Sequence, residues 1–141
     1  MYIGFSQYYY LTNNGDLEDL VPAFYENYTK PKSCSVYIRN QDDGITITHS
    51  TMNDYVFMLR VFKTYNFPSR DPRVGSEVIT FSSRPADLNS KDDYYVLSSG
   101  LRVLETSLDN FNPENYKELN PLTVPCWLRA TLACNLARTG T

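Results

Sequence analysis

The clearest alternation of apolar and polar positions runs through residues 32–40 and returns through residues 45–51. Val36 and Ile38 alternate with Ser35, Tyr37 and Arg39; Ile45 and Ile47 alternate with Thr46 and Thr48. Period-two runs of this composition predict two β-strands. Gln41-Asp42-Asp43-Gly44 lies between them and supplies an Asp-Gly turn, which favours a tight hairpin. Facing Asn40 with Ile45 sets Cys34 opposite Thr51, with His49 as its diagonal neighbour on the same face. Diagonal neighbours are about 7–8 Å apart, within reach of a long side chain. A slip of one residue in the turn moves His49 to the other face.

The rest of the pattern is mixed. Residues 1–11 read as an aromatic strand or the tail of one, and Asn13-Asn14-Gly15 as a turn. Asp16 is placed to cap a helix from Leu17, with Asp19 in a capping-box position and Leu17, Leu20, Val21 and Phe24 on the apolar face. Thr51 is placed to cap a second helix. There Tyr55, Met58, Leu59 and Phe62 recur at helical spacing, a stripe expected to pack in the core. Residues 66–76 and 84–93 are rich in turn formers and read as loops. Strands are expected at residues 77–82, 94–97 and 101–104, the last two hinged at Ser98-Ser99-Gly100. Residues 110–114 read as a turn, with Pro113 at a helix start. Pro125 opens a closing helix with Leu128, Leu132 and Leu136 on one face. Helix, hairpin, helix, strands and a final helix make an α+β chain.

Composition narrows the function classes. At 141 residues one domain is expected, and 42% hydrophobic content suits a globular chain. Twelve Tyr and seven Phe beside one Trp imply a core with polar edges or an interface, without specifying chemistry. A net charge of −3 with scattered Lys and Arg argues against nucleic-acid binding. No apolar run is long enough to span a bilayer, and the tyrosine-rich start does not read as a signal peptide.

Three Cys argue against a disulfide framework. Cys126 and Cys134, eight residues apart on one expected helix, are separated by about 12 Å of axis. One His with dispersed Cys argues against a zinc site, so no metal and no cofactor is expected. Asn27-Tyr28-Thr29 is an N-glycosylation acceptor triplet, meaningful in a secreted context. On spacing alone the commoner fate of Cys34 and His49 is packing, Cys34 as a small buried hydrophobe and His49 satisfied by hydrogen bonds.

An ordered series of short stretches changes that balance. It runs Gly15-Asp16-Leu17-Glu18-Asp19-Leu20, Cys34-Ser35, His49-Ser50-Thr51, Tyr55 and Met58-Leu59-Arg60. It continues through Phe81-Ser82-Ser83 with Pro85, Asp92-Asp93-Tyr94-Tyr95 with Leu97, and Ser99-Gly100-Leu101. It closes with Leu104-Glu105-Thr106, Asn110 with Asn112-Pro113, and Trp127 with Arg129. In order and spacing, along about 120 residues, the series resembles the phospholipase B-like, lamina-ancestor-type family.

The resemblance implies part of an αββα sandwich of the N-terminal-nucleophile hydrolase type. It implies self-cleavage between Ser33 and Cys34, with Cys34 as nucleophile and His49 orienting or polarising the site. An α-amine titrates at about 7.7–8.0, so a freed Cys34 carries its own base beside its thiol. The implied reaction is hydrolysis of a lipid ester or an acyl amide through a thioester, in a lysosomal or extracellular setting.

Two departures stand out. Where the family commonly has His-Asn-Thr-Trp, this chain has His49-Ser50-Thr51-Met52, which puts Met52 at the substrate pocket wall. The Asn that follows the family's Trp-x-Arg is Ala130 here. Family members are several-fold longer. Residues 1–33 are therefore expected to be the end of a light-chain-like region and residues 34–141 the start of a heavy-chain-like one, a single partial domain. Its sheet edges and oxyanion hole are expected to need further chain segments. The alternatives are a non-catalytic truncated remnant or binding module, and an unrelated α+β domain in which Cys34 and His49 only pack.

Overall fold

A computed structural model of the chain describes residues 4–24, 34–106, 111–120 and 122–140. Ser33 and Asn27 lie outside these residues. Among the described residues the chain is α+β: a two-stranded antiparallel hairpin, a four-stranded antiparallel sheet and three α-helices.

The hairpin pairs β1 (Ser35–Gln41) with β2 (Gly44–Ser50) in the expected register, with Asn40 opposite Ile45 and Ser35 opposite Ser50. Gly44 closes the turn at φ 144°, a backbone conformation that favours glycine. This register puts Val36 against His49 and leaves Cys34 just ahead of the ladder.

The larger sheet is a meander of β3 (Val61–Asn66), β4 (Val78–Ser83), β5 (Tyr94–Leu97) and β6 (Arg102–Leu104). Its central strands carry the core: Ile79, Phe81, Tyr95 and Leu97 are buried, joined by Cys134. Phe81 meets Tyr65 edge-on at 4.9 Å between ring centroids and Tyr95 at 5.2 Å. The helix α3 (Cys126–Leu136) packs on β4 and β5.

Several expectations are corrected. The aromatic N-terminal run is not a strand. Phe5–Thr12 form α1, with Phe5 and Tyr9 in contact one turn apart at 6.2 Å and Gly4 N–H bonded to Gln7 Oε1 at 3.0 Å. Local i,i+4 contacts decide the conformation where the run pairs with no strand. The next helix, α2, spans Asn14–Phe24 rather than starting at Leu17. Asp16 therefore sits within its first turn, and its carboxylate caps a different helix: Cys126 N–H donates to Oδ2 at 2.8 Å.

The second helix after the hairpin is absent. A short 3₁₀ turn covers Tyr55–Phe57, and β3 follows. The stripe expected in the core is outside: Tyr55 is 88%, Met58 67%, Leu59 66% and Phe62 71% exposed. In β3 the inward positions are Lys63 and Tyr65. The Lys63 ammonium reaches the carbonyl oxygens of Arg84, at 2.8 Å, and Asp87. Satisfying that ammonium with carbonyls lets a lysine take the inner face and leaves Phe62 outside.

The closing helix also turns differently from its apolar pattern. It buries Thr131, Cys134 and Asn135 and leaves Leu132 and Leu136 half exposed. Asn135 holds the inner face because Gly75 N–H and Ser76 N–H donate to its backbone carbonyl at 2.8 and 3.1 Å, while its Nδ2 donates to Ser76 O at 2.6 Å. A Cβ on Gly75 would meet Ala137 O at 2.5 Å, so this close approach requires glycine.

Candidate active site

The base of the hairpin and the start of β5 meet at one small cluster. Cys34 Sγ lies 3.7 Å from Asp93 Oδ2, and His49 Nε2 lies 3.8 Å from the same oxygen. One donor atom from each of Cys34, His49 and Asp93 falls within 4.8 Å of the others. The diagonal placement of His49 beside Cys34 is thus realised by the register. Asp93, 59 residues from Cys34, completes the group. It sits at φ 53°, in the left-handed region that Asp tolerates better than most residues.

A second set of contacts fixes the imidazole. Asp92 is held by Arg60, whose Nε lies 2.9 Å from both carboxylate oxygens, and it accepts from Ser82 Oγ. Thr51 Oγ1 lies 3.2 Å from Asp92 Oδ1 and 3.4 Å from His49 Nδ1. Burial pushes the Asp92 carboxyl upward, but bonds from Ser82, Arg60 and Thr51, with the Arg60 charge, hold it below the usual carboxylate range. An ionised carboxylate only accepts, so the single Thr51 proton goes to Asp92. Thr51 oxygen then accepts from Nδ1–H.

In that tautomer Nδ1 carries the proton, and the other ring nitrogen, Nε2, lies on the Asp93 side of the ring, 3.8 Å from Oδ2. The His49 side chain is only 2% exposed, and Nε2 is buried with no hydrogen-bond partner. A separation of 3.8 Å from the carboxylate is too long for a hydrogen bond.

A cleft of about 300 Å3 opens beside the cluster, between β2 and the β5–β6 hairpin. Ile45, Ile47, Val96, Val103 and Leu104 give it mostly apolar walls, with His49 at the lining and Arg102 as its cation. Met52 does not line this cleft and is 57% exposed. Cys34 is partly exposed, and its carbonyl accepts from Thr106 Oγ1 at 3.4 Å.

Sequence reasoning named Cys34 and His49 but gave Asp92, Asp93, Thr51 and Arg60 no part in the site. All four stand within the stretches that carry the family resemblance. Three of them are charged and none lies on an apolar stripe, the signal by which they could have been found.

The phospholipase B family model matches residues 1–141, and the chain belongs to that family. It is 39% identical over 140 residues to "Putative phospholipase B-like 2" of Mus musculus, covering 90% of this chain and 24% of that protein. It is 35% identical over 147 residues to phospholipase B-like 1 of Homo sapiens, covering 95% and 26%. A Caenorhabditis elegans relative, "Putative phospholipase B-like 1", is 36% identical over 134 residues, covering 89% and 23%. The chain thus spans about a quarter of the length of the curated relatives it matches.

Proposed function

We propose that this chain carries the nucleophile of a phospholipase B-like hydrolase acting on lipid ester or amide bonds. The observation that carries the reading is the meeting of Cys34, His49 and Asp93 within 4.8 Å at the edge of an apolar cleft. Family membership supplies the hydrolase class.

The chemistry runs in two stages. In the first, Cys34 sulfur attacks the Ser33 carbonyl carbon. The Ser33–Cys34 C–N bond breaks, a thioester forms and the nitrogen leaves as an α-amine. Water then cleaves the thioester and frees the thiol. In the second, the α-amine takes the thiol proton, the thiolate attacks an acyl carbonyl, and the alcohol or amine leaves protonated. Water hydrolyses the new acyl thioester and returns the acid. The His49 ring, within 4.8 Å of the sulfur, accepts a proton or orients the thiol in either stage. The apolar cleft walls suit an acyl chain, and a lysosomal or extracellular setting fits this chemistry.

Intact mass of the expressed chain tests the reading. A cut at Ser33–Cys34, abolished in Cys34→Ala, is the expected result. An uncut chain whose Cys34 stays unreactive at acidic and neutral pH overturns it. A second reading, a non-catalytic binding module, is favoured by the exposed Tyr55, Met58, Leu59 and Phe62. It requires Cys34→Ala to match the parent in every assay.

A further inference from the structure

We infer that the Cys34–His49–Asp93 cluster is a binding site for a borderline-soft divalent cation, zinc above all. Three kinds of observation converge on it. The first is the donor set. A thiolate, an imidazole nitrogen and a carboxylate oxygen are the three ligand types that zinc takes in proteins. The second is spacing. Zinc bonds of about 2.0–2.3 Å in tetrahedral geometry hold ligand atoms roughly 3.3–3.8 Å apart, and two of the edges here are 3.7 and 3.8 Å. The third edge, between Cys34 and the His49 ring, is within 4.8 Å, so closing the set onto a metal needs side-chain shifts of up to about an ångström.

The third is the state of His49. Its Nε2 is buried, lacks a hydrogen-bond partner and lies 3.8 Å from the Asp93 carboxylate. The Nδ1 contact to Thr51, backed by Asp92 and Arg60, fixes the tautomer that leaves Nε2 free to ligate. Metal-bound imidazoles are typically supported in this way through the other ring nitrogen.

Charge points the same way. In the metal-free chain the Cys34 thiol donates to Asp93 Oδ2 at 3.7 Å; a metal that displaces that proton meets a thiolate and a carboxylate side by side. A dication bound by Cys34 thiolate, Asp93 carboxylate and neutral His49 brings the group to zero net charge. The fourth tetrahedral position stays open to water or to a further donor. The site needs no chain cleavage, so it stands apart from the hydrolase reading. Where that reading holds, zinc occupies the sulfur lone pair that would attack and so silences Cys34 until the metal leaves.

Cobalt(II) titration of the reduced full chain at neutral pH tests the site, followed by displacement with zinc. A thiolate-to-cobalt charge-transfer band with tetrahedral d–d absorption is expected, at one equivalent, bleached by zinc. The band is lost in Cys34→Ala and kept when Cys126 and Cys134 are both replaced by Ala. Asp93→Asn suits the left-handed backbone and removes the ligand charge. It weakens cobalt binding by at least about 10–100-fold, the loss typical of removing even a ligand's supporting partner. It also removes the rise in melting temperature that zinc gives the parent. Affinity falls as pH falls, because Cys34 must shed its proton to ligate. A parent chain without the band, a band that survives Cys34→Ala, or affinity unchanged in Asp93→Asn overturns the proposal. None of these readouts depends on hydrolysis.

Discussion

Asp92 and Asp93 are adjacent in the chain, yet their carboxylates serve different partners. Asp92 is clamped by Arg60, Ser82 and Thr51, whereas Asp93 lies beside Cys34 and His49. The left-handed backbone at Asp93 accompanies this division. One carboxylate is tied up by donors and holds the histidine tautomer through Thr51. The other faces the thiol and the bare ring nitrogen.

The first prediction concerns Asp92. Its pKa is held low in the folded chain, so the unfolded chain binds the proton more readily. Its contribution is therefore complete above the ordinary aspartate value, about 4, and is lost as pH falls through the folded value. Asp92→Asn should destabilise the chain at neutral pH by about 1–3 kcal/mol, the range for a charge-assisted bond network broken inside a protein. Urea melts at neutral pH and below pH 4 check it, the variant losing less than the parent on acidification.

Cysteine reactivity is ordered by environment. Burial pushes the Cys126 thiol up, with the nearby Asp16 charge adding to it, and burial likewise pushes up Cys134. Both are mostly protonated at neutral pH, and the thiolate is the nucleophile. Cys34 is partly exposed. Alkylation at neutral pH should label Cys34 first, faster by on the order of tenfold. Peptide mass mapping of a short labelling pulse reads the order.

The hairpin was legible in the sequence because two local signals agreed. Alternation fixed which residues share a face, and the Gly44 turn fixed the register. That agreement set His49 diagonal to Cys34. Asp93 was not legible as a partner because nothing local encodes a contact with residue 34. Helical spacing misled at Tyr55, Met58, Leu59 and Phe62, where the sheet takes Lys63 and Tyr65 inward instead. It misled again in α3, where bonds to Ser76 and the close approach of Gly75 draw Asn135 inward and leave Leu132 and Leu136 at the surface. In both elements satisfied polar groups, rather than apolar side chains, choose the buried face.

Asp16 is a cap for a helix 110 residues away in the chain. It accepts from Cys126 N–H at 2.8 Å and from Arg129 Nη2 at 2.9 Å. Asp16→Ala should cost about 0.5–2 kcal/mol, the usual range for a lost cap. Asp16→Asn should cost less, since Asn caps well, and Arg129→Ala at most about 1 kcal/mol because the Arg129 side chain is half exposed. Denaturant midpoints of the three variants give the order.

The exposed stripe gives the last prediction, because the two accounts of it differ in size. Were Met58 and Leu59 core residues, polar replacement would cost several kcal/mol, as the roughly 2–5 kcal/mol typical of large core truncations indicates. They are instead two-thirds exposed, beside β3, an edge strand of the four-stranded sheet. The double variant Met58→Gln, Leu59→Gln should therefore stay within about 1 kcal/mol of the parent, twice the usual single-site surface range. An open edge beside exposed apolar side chains is also a template for pairing with another chain. The same variant should lower self-association, read as a smaller concentration dependence of the mass from light scattering. A large loss of stability would instead place this stripe inside the folded chain.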